Sequence, residues 1–282
     1  MSALTDLSDL INRQTGGNSG TPEAVFFHKV PRVSGALATT PIAGRGLSLW
    51  TYDGMPGGGA VPTTAAIPDR TTAGAMPFTA PGGSREKLTI SAGLVPLIAG
   101  TYQLYDRLFH IGNLSGISTT DQTIQGSTPT PALTRNTGGA GNFAFYEIYT
   151  AVGTTGTTLT MTYTNQDGVT GKTSTINFGG TGFREVTRFQ RIPLAAGDSG
   201  LRAIEKIRLT ASTGTAGNFG IGIAQPISWI PVGAPGVMGW RDFTTGLPGM
   251  PTAAPDACYA LWGLPGAATA PELFGALAFV EK

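Results

Sequence analysis

The stretch from residue 158 to 178 constrains the fold of this chain more than any other. Thr158, Thr160, Thr162 and Thr164 alternate with Leu159, Met161 and Tyr163. A period of two sends the hydroxyls to one face of an extended segment and the apolar groups to the other. Asn165-Gln166-Asp167-Gly168 follows. Asn and Asp tolerate the left-handed region of backbone space, and Gly enters it without steric cost. Ile176 and Phe178, two apart on the returning segment, rejoin the apolar face. The pattern predicts an antiparallel hairpin with one dry side and one hydroxyl-rich side, and with it a β protein. No group in the hairpin can do chemistry, so it carries no functional information.

Composition extends this reading to the whole chain. Charged residues make up 12% of the 282 residues, about half the usual share. With 42 glycines and 20 prolines, the chain is poor material for long helices. A hydrophobic content of 40% argues against disorder. Many short strands joined by Gly/Pro turns fit best, arranged as an antiparallel sandwich or jelly-roll-like fold. The formal net charge of +1 gives nucleic acid and anionic membranes no general attraction. Weak surface charge protects poorly against self-association, which suits a surface covered by other subunits.

The pass along the chain predicts a short helix near residues 3–13, with Leu4, Leu7, Leu10 and Ile11 on one stripe that needs a partner surface. Residues 1–82 read as that helix plus a long Pro/Gly-rich arm ordered by something outside it, with short strands only at Val25–Phe27 and Leu47–Trp50. Residues 83–282 read as the β domain. Its strands are expected at 87–90, 101–111, 142–152, 157–165, 172–178, 183–192, 201–211, 217–230, 258–261 and 273–280, with a long loop over 113–142. Ala140-Gly141-Asn142-Phe143 recurs as Ala216-Gly217-Asn218-Phe219, each opening a strand. Trp50-Thr51-Tyr52-Asp53 has a looser echo at Trp240-Arg241-Asp242. Neither echo has a regular period.

Catalytic constellations are hard to find. His28 and His110 are the two histidines, and no Gly-x-Ser-x-Gly elbow accompanies them. Two distant histidines and the single cysteine, Cys258, do not have zinc spacing. Cys258 sits in an apolar run and reads as a small buried hydrophobe; no internal disulfide is available to it. The carboxylates Asp53, Asp69, Asp106, Asp121, Glu147 and Asp242 are scattered without a motif. Glu147 stands out because Phe143, Phe145 and Tyr149 share its face, and Arg184 or Arg188 is its expected partner. Gly179-Gly180-Thr181-Gly182 lacks the Lys-Ser/Thr of a phosphate loop. The basic run from Arg184 to Arg208 has only Phe189 as an interleaved aromatic, which suits a partly self-paired sheet face better than a nucleic-acid groove. The expectation is therefore no enzyme, no cofactor and no metal. The first residues lack a basic and an apolar leader segment, and no apolar run approaches the roughly 20 residues that span a bilayer, so synthesis in a cytoplasm is expected, with no membrane partner.

Two segments, Leu49-Trp50-Thr51-Tyr52-Asp53-Gly54-Met55-Pro56-Gly57-Gly58 and Leu104-Tyr105-Asp106-Arg107-Leu108-Phe109-His110, together with Tyr163-Thr164-Asn165-Gln166-Asp167-Gly168, resemble virion structural proteins of tailed bacteriophages. The resemblance runs loosely from about residue 45 to the end and carries no catalytic residues. It implies a capsid decoration or cement protein located in the virion, with a tail or fibre component as the alternative. The implied partners are the major capsid protein or other virion subunits, including further copies of the chain. Leu4, Leu7, Leu10 and Ile11 on the helix, and the aromatics Trp50, Tyr52, Trp240 and Trp262, are the expected contact residues, since Trp and Tyr are favoured at interface hot spots.

Overall fold

The computed structural model describes residues 6–17, 21–33, 36–37, 42–83, 85–244, 250–269 and 271–281. In chain order these contain the helix α1 (Leu7–Gln14) and the strands β1 (Glu23–Lys29), β2 (Arg32–Val33), β3 (Ala36–Leu37), β4 (Leu47–Ser48), β5 (Gly54–Met55), β6 (Lys87–Pro96), β7 (Gly100–Leu114), β8 (Gln122–Thr123), β9 (Phe143–Thr150), β10 (Thr157–Asn165), β11 (Lys172–Phe178), β12 (Phe189–Ile192), β13 (Leu201–Leu209), β14 (Asn218–Val232), β15 (Gly239–Asp242), β16 (Thr252–Ala253), β17 (Tyr259–Pro265) and β18 (Leu273–Glu281). Every pairing between them is antiparallel.

Three layers of sheet build the molecule. The central sheet has the order β12-β9-β14-β7-β17-β4, and it closes on itself. Leu47 in β4 bridges Arg188, just before β12. Ser48 N donates to Thr187 O at 2.8 Å, and Phe189 N donates to Gly46 O at 3.0 Å. Closure removes two free edges that would otherwise template aggregation. Tyr105, Phe143, Phe145, Phe189, Ala260 and Trp262 fill the inside. Phe145, Phe189 and Trp262 stack in sequence, with ring centroids 4.5 and 4.9 Å apart.

The other two sheets pack on the outside of this barrel. β11-β10-β13-β8 lays Leu159, Met161, Tyr163, Ile204 and Ile207 against Phe109, Ala144, Tyr146, Ile148 and Ile221. The sheet β15-β6-β18-β1-β5, with β16 on β6, lays Val25, Phe27, Leu94, Leu277 and Phe279 against Tyr102, Leu104, Ile230, Tyr259 and Leu261. β7 and β14 serve both cores, one half each. Register shifts at Ile223/Ala224 and Pro226/Ser228 give these long strands the bend that such a double role needs.

The hairpin follows the alternation. Leu159, Met161 and Tyr163 are fully buried, Thr158, Thr160 and Thr162 are half-buried, and Phe178 is buried with Ile176 at the core margin. Gly168 takes φ +81°, and Asn165 Oδ1 accepts from the backbone N of Asp167 and Val169. Thr164 departs from the wet face: it is buried and donates to Glu205 at 3.0 Å. Met161→Asp is expected to cost about 3 kcal/mol or more, because the core offers the charge no partner. Thr160→Glu, opposite Arg208, should stay within about 0.5 kcal/mol. Chemical denaturation of the two variants checks this, and equal losses would reverse the faces.

Three expectations differ from the structure. The arm expected over residues 1–82 packs in part, over its described residues, on the chain itself. Val25, Phe27, Leu47, Leu49, Tyr52, Met76 and Phe78 belong to the core that also holds Leu277 and Phe279, so residue 82 is not a packing boundary. The prolines between 56 and 81 leave that stretch without a named strand, yet its side chains still pack. The strand expected at 183–192 shrinks to β12, because Gly179, Gly180, Gly182 and Thr187 all take positive φ and keep the chain turning. The helix begins later than expected. Asp6 caps it, its side chain accepting from Asp9 N at 2.8 Å, which satisfies a helix-end donor.

Candidate functional site

The carboxylates that drew attention in the sequence are held by buried networks. Glu147 is enclosed by the barrel. Arg107 Nη2 donates to it at 2.8 Å, the Tyr149 hydroxyl at 3.0 Å, and the Ser48 hydroxyl also donates. Its partner is therefore Arg107 rather than Arg184 or Arg188. Those two arginines hold backbone instead, Arg184 at Val152 O and Arg188 at Gly46 O, where they secure the loops beside the barrel seam. Arg107 Nε donates to His110 Nδ1 at 2.9 Å, so the imidazole is neutral with its proton on Nε2. Burial, with the Arg107 charge beside it, pushes His110 down to about 2. The Arg107 guanidinium also lies 4.4 Å from the Trp50 ring, and Trp50 Nε1 donates to Ala60 O. A Cβ at Gly59 would stand 2.2 Å from the Trp50 ring, which is why glycine occupies that position. The network fastens the irregular segment around Trp50 to β7 and β9.

A second network does the same elsewhere. Arg135, from the segment between β8 and β9, grips Asp106 with two hydrogen bonds of 2.9 and 3.0 Å and also donates to Pro68 O and Arg107 O; the loop expected over 113–142 is interrupted by β8 and begins after β7 ends at Leu114. Asp106 accepts from Cys258 N at 2.8 Å. The Cys258 thiol is buried, and burial pushes it well above the ordinary thiol range, away from the thiolate form that reacts. Lys29 points into the core and donates to the carbonyls of Tyr52, Pro56 and Gly57; burial pushes it down to about 8. In each case the charge is spent on holding loop backbone. Among the described residues, no group of three His, Cys, Asp or Glu side chains is placed to hold a metal, and no helix is long and apolar enough to cross a membrane. The basic residues from 184 to 208 do not form one surface. Arg191 lies over Phe143, while Lys206 and Arg208 reach Asp121 and Thr119 O on the outer side of β13.

The unusual surface lies on the outer face of the β15-β6-β18-β1-β5 sheet. Strand register places Phe26, Ala276, Gly93 and Trp240 in one row across it. Met55, His28, Phe274 and Val95 form the next row. Phe26 is 67% exposed, and Met55, Phe274 and Trp240 are each about half exposed, with Met238 beside them. The indole of Trp240 lies so close over Gly93 that a Cβ there would be 2.2 Å away. α1 covers only one end of this face, where Leu10 packs on Leu88 and Val280. A groove of about 580 Å³, lined by Gln14, Ala24, Ser91, Trp240 and Asp242 among others, runs between the helix end and the open part. At the other side His28 Nε2 and Glu272 meet at 2.7 Å.

The expected contact residues separate on this geometry. Trp240 lies on the open face. Leu7 and Ile11 are exposed on α1, whereas Leu10 is buried against the chain's own sheet. Leu4 lies outside the described residues. Trp50, Tyr52 and Trp262 are core residues, at most 4% exposed, because the irregular segment packs inward. The sequence reading missed Phe26, Phe274, Met55 and Met238. A signal for the first two was present. Leu273-Phe274-Gly275-Ala276-Leu277-Ala278-Phe279-Val280 is apolar at every position, the pattern of a strand covered on both faces, and Val25-Phe26-Phe27 repeats it.

Comparison with known proteins adds little to this geometry. No family model matches the chain, and no curated protein matches it. Among solved structures, particles derived from infectious bursal virus align at 11% identity over 93% of this chain and 77% of theirs, with a TM-score of 0.13. A mutant VP2 protein of infectious bursal disease virus, also as derived T=1 particles, aligns at 9% identity over 93% and 76%, with a TM-score of 0.12. Scores this low carry no argument about fold or function.

Proposed function

We propose that the chain is a non-enzymatic structural subunit of a tailed-phage virion, which binds the outer capsid surface as a multimer and stabilises the shell. The observation that carries this reading is the open apolar face around Phe26, Phe274 and Trp240, on a sheet whose central strand is apolar on both sides. Patches of this kind mark association surfaces. The buried Glu147 and Asp106, each closed in by an arginine, support a role without turnover, since neither is free to exchange protons with a substrate. Apolar burial between subunits contributes about 25 cal/mol per Å² before association costs, and a symmetric shell repeats each contact many times. Particles carrying the protein are therefore expected to release DNA at a higher temperature than particles lacking it. Parallel heating of both particle types, with cryo-EM localisation of the protein, tests this. Identical release curves, or density confined to the tail tip, would transfer the chain to a fibre role.

A further inference from the structure

We infer that the open face of the β15-β6-β18-β1-β5 sheet is a self-association surface that pairs two copies of this chain about a two-fold axis. The inference deepens the proposed function by naming the occupant of its open face, and it rests on that reading only for its biological setting.

Area is the first argument. Phe26, Phe274, Met55, Trp240 and Met238 are each between 49% and 67% exposed. The aromatic members bury about 150–250 Å² each when fully covered, and with the two methionines the exposed part is on the order of 500 Å². That lies toward the upper end of the roughly 300–600 Å² found for the largest patch on a typical monomer. It is also more than half of the roughly 800 Å² that each partner contributes to a standard interface. The intervening Ala24, Ala276 and Val95 add to it.

Charge is the second. Two of the rows across the face contain no carboxylate and no Lys or Arg side chain, their only ionisable member being His28, which is paired with Glu272 at the margin; the next row, Ala24, Ala278 and Ser91, ends at a single carboxylate, Asp242. A strongly charged face would repel its own copy, and this one does not. The net charge of +1 on the whole chain adds no long-range barrier.

Symmetry is the third. The other large exposed apolar side chains outside the strands of this sheet and α1, Val61, Leu97, Ile117, Val169 and Val237, stand in loops or turns. The outer side of β10 and β13 is threonine and basic residues. Among the described residues, then, the face has no second apolar sheet surface on the molecule to meet. A patch that can match only itself gives an isologous, closed dimer rather than an open chain. The relief suits this. Phe26 and Trp240 stand as ridges at either side of a low centre made by Ala276 and Ala278, so the Phe26 ridge of one copy can enter the trough of the other in sheet-on-sheet packing.

Sedimentation equilibrium on the purified full-length chain tests the inference, alongside Phe26→Lys and Met238→Lys as separate variants. The expected result is a wild-type dimer with a dissociation constant of about 1 μM or tighter. Each variant should weaken it at least about tenfold, with unchanged circular dichroism and melting of the monomer. Both positions are exposed, so the fold has little reason to fail; should one variant misfold, the other decides. A wild-type chain that stays monomeric overturns the inference, as does association that both variants leave intact. So does growth into open polymers. Monomeric protein whose Trp240 emission is already that of a covered indole would show the face occupied by another segment of the chain. A monomer that still protects particles removes the dimer and leaves the proposed function standing; a dimer without effect on particles does the reverse.

Discussion

Replacing Arg107 by methionine is expected to destabilise the protein by about 3–5 kcal/mol, the usual cost of breaking a buried ion pair from one side. The guanidinium is fully buried in the barrel and holds Glu147, Tyr149 and His110 through hydrogen bonds of 2.8, 3.0 and 2.9 Å. Methionine restores much of the volume and none of the hydrogen bonds. Glu147 then faces the interior as an uncompensated charge. Arg107→Met combined with Glu147→Leu should recover most of the loss, since two apolar groups tolerate the site better than one orphaned ion. Denaturant unfolding of the parent and the two variants measures all of this. A single variant within about 1 kcal/mol of the parent, or a double variant no better than the single, would mean that the network does not hold the barrel together.

Phe189→Ala is expected to cost about 3–5 kcal/mol, a fall in melting temperature on the order of 10 °C for a chain of this size. Phe189 is the middle ring of the Phe145–Phe189–Trp262 stack. It also sits on the seam strand, with its backbone N donating to Gly46 O. Truncation leaves a cavity whose walls are a closed sheet and cannot collapse inward. Phe189→Leu, which keeps most of the volume, should lose less than half as much. Near-ultraviolet circular dichroism should follow the loss of stacking around Trp262. Equal stability of the alanine and leucine variants would mean that the interior repacks freely and the sheet is not closed as described.

How much of this was legible beforehand depends on how local the cause was. The hairpin at 157–178 follows from residues within twenty positions of one another: alternation sets the faces, and Asn165 with Gly168 sets the turn. The strands at 201–209 and 218–232, and the mainly antiparallel β class, come from the same kind of short-range signal. The capping of α1 by Asp6 is equally local, although it moved the helix start.

The closure of the central sheet was not legible, because it depends on Ser48 meeting Thr187 and Phe189 meeting Gly46, pairs about 140 residues apart. No periodicity encodes such a meeting. The partner of Glu147 was hidden for a related reason. Arg107, Arg184 and Arg188 all lie about 40 residues from it in sequence, and strand order across the barrel rather than spacing decides which of them is beside it. Prolines between residues 56 and 81 keep that stretch out of the named strands, yet they say nothing about whether Trp50, Tyr52 and Phe78 turn inward. That outcome was decided by the apolar surface already exposed on β7, β17 and β18. The open face shows both halves of the matter. The unbroken apolar run in β18 announced by itself that both sides of that strand want cover. Only the tertiary structure decided which side the barrel covers and which side, with Phe26, Phe274 and Trp240, is left exposed, because a sheet can present only one face to its own core.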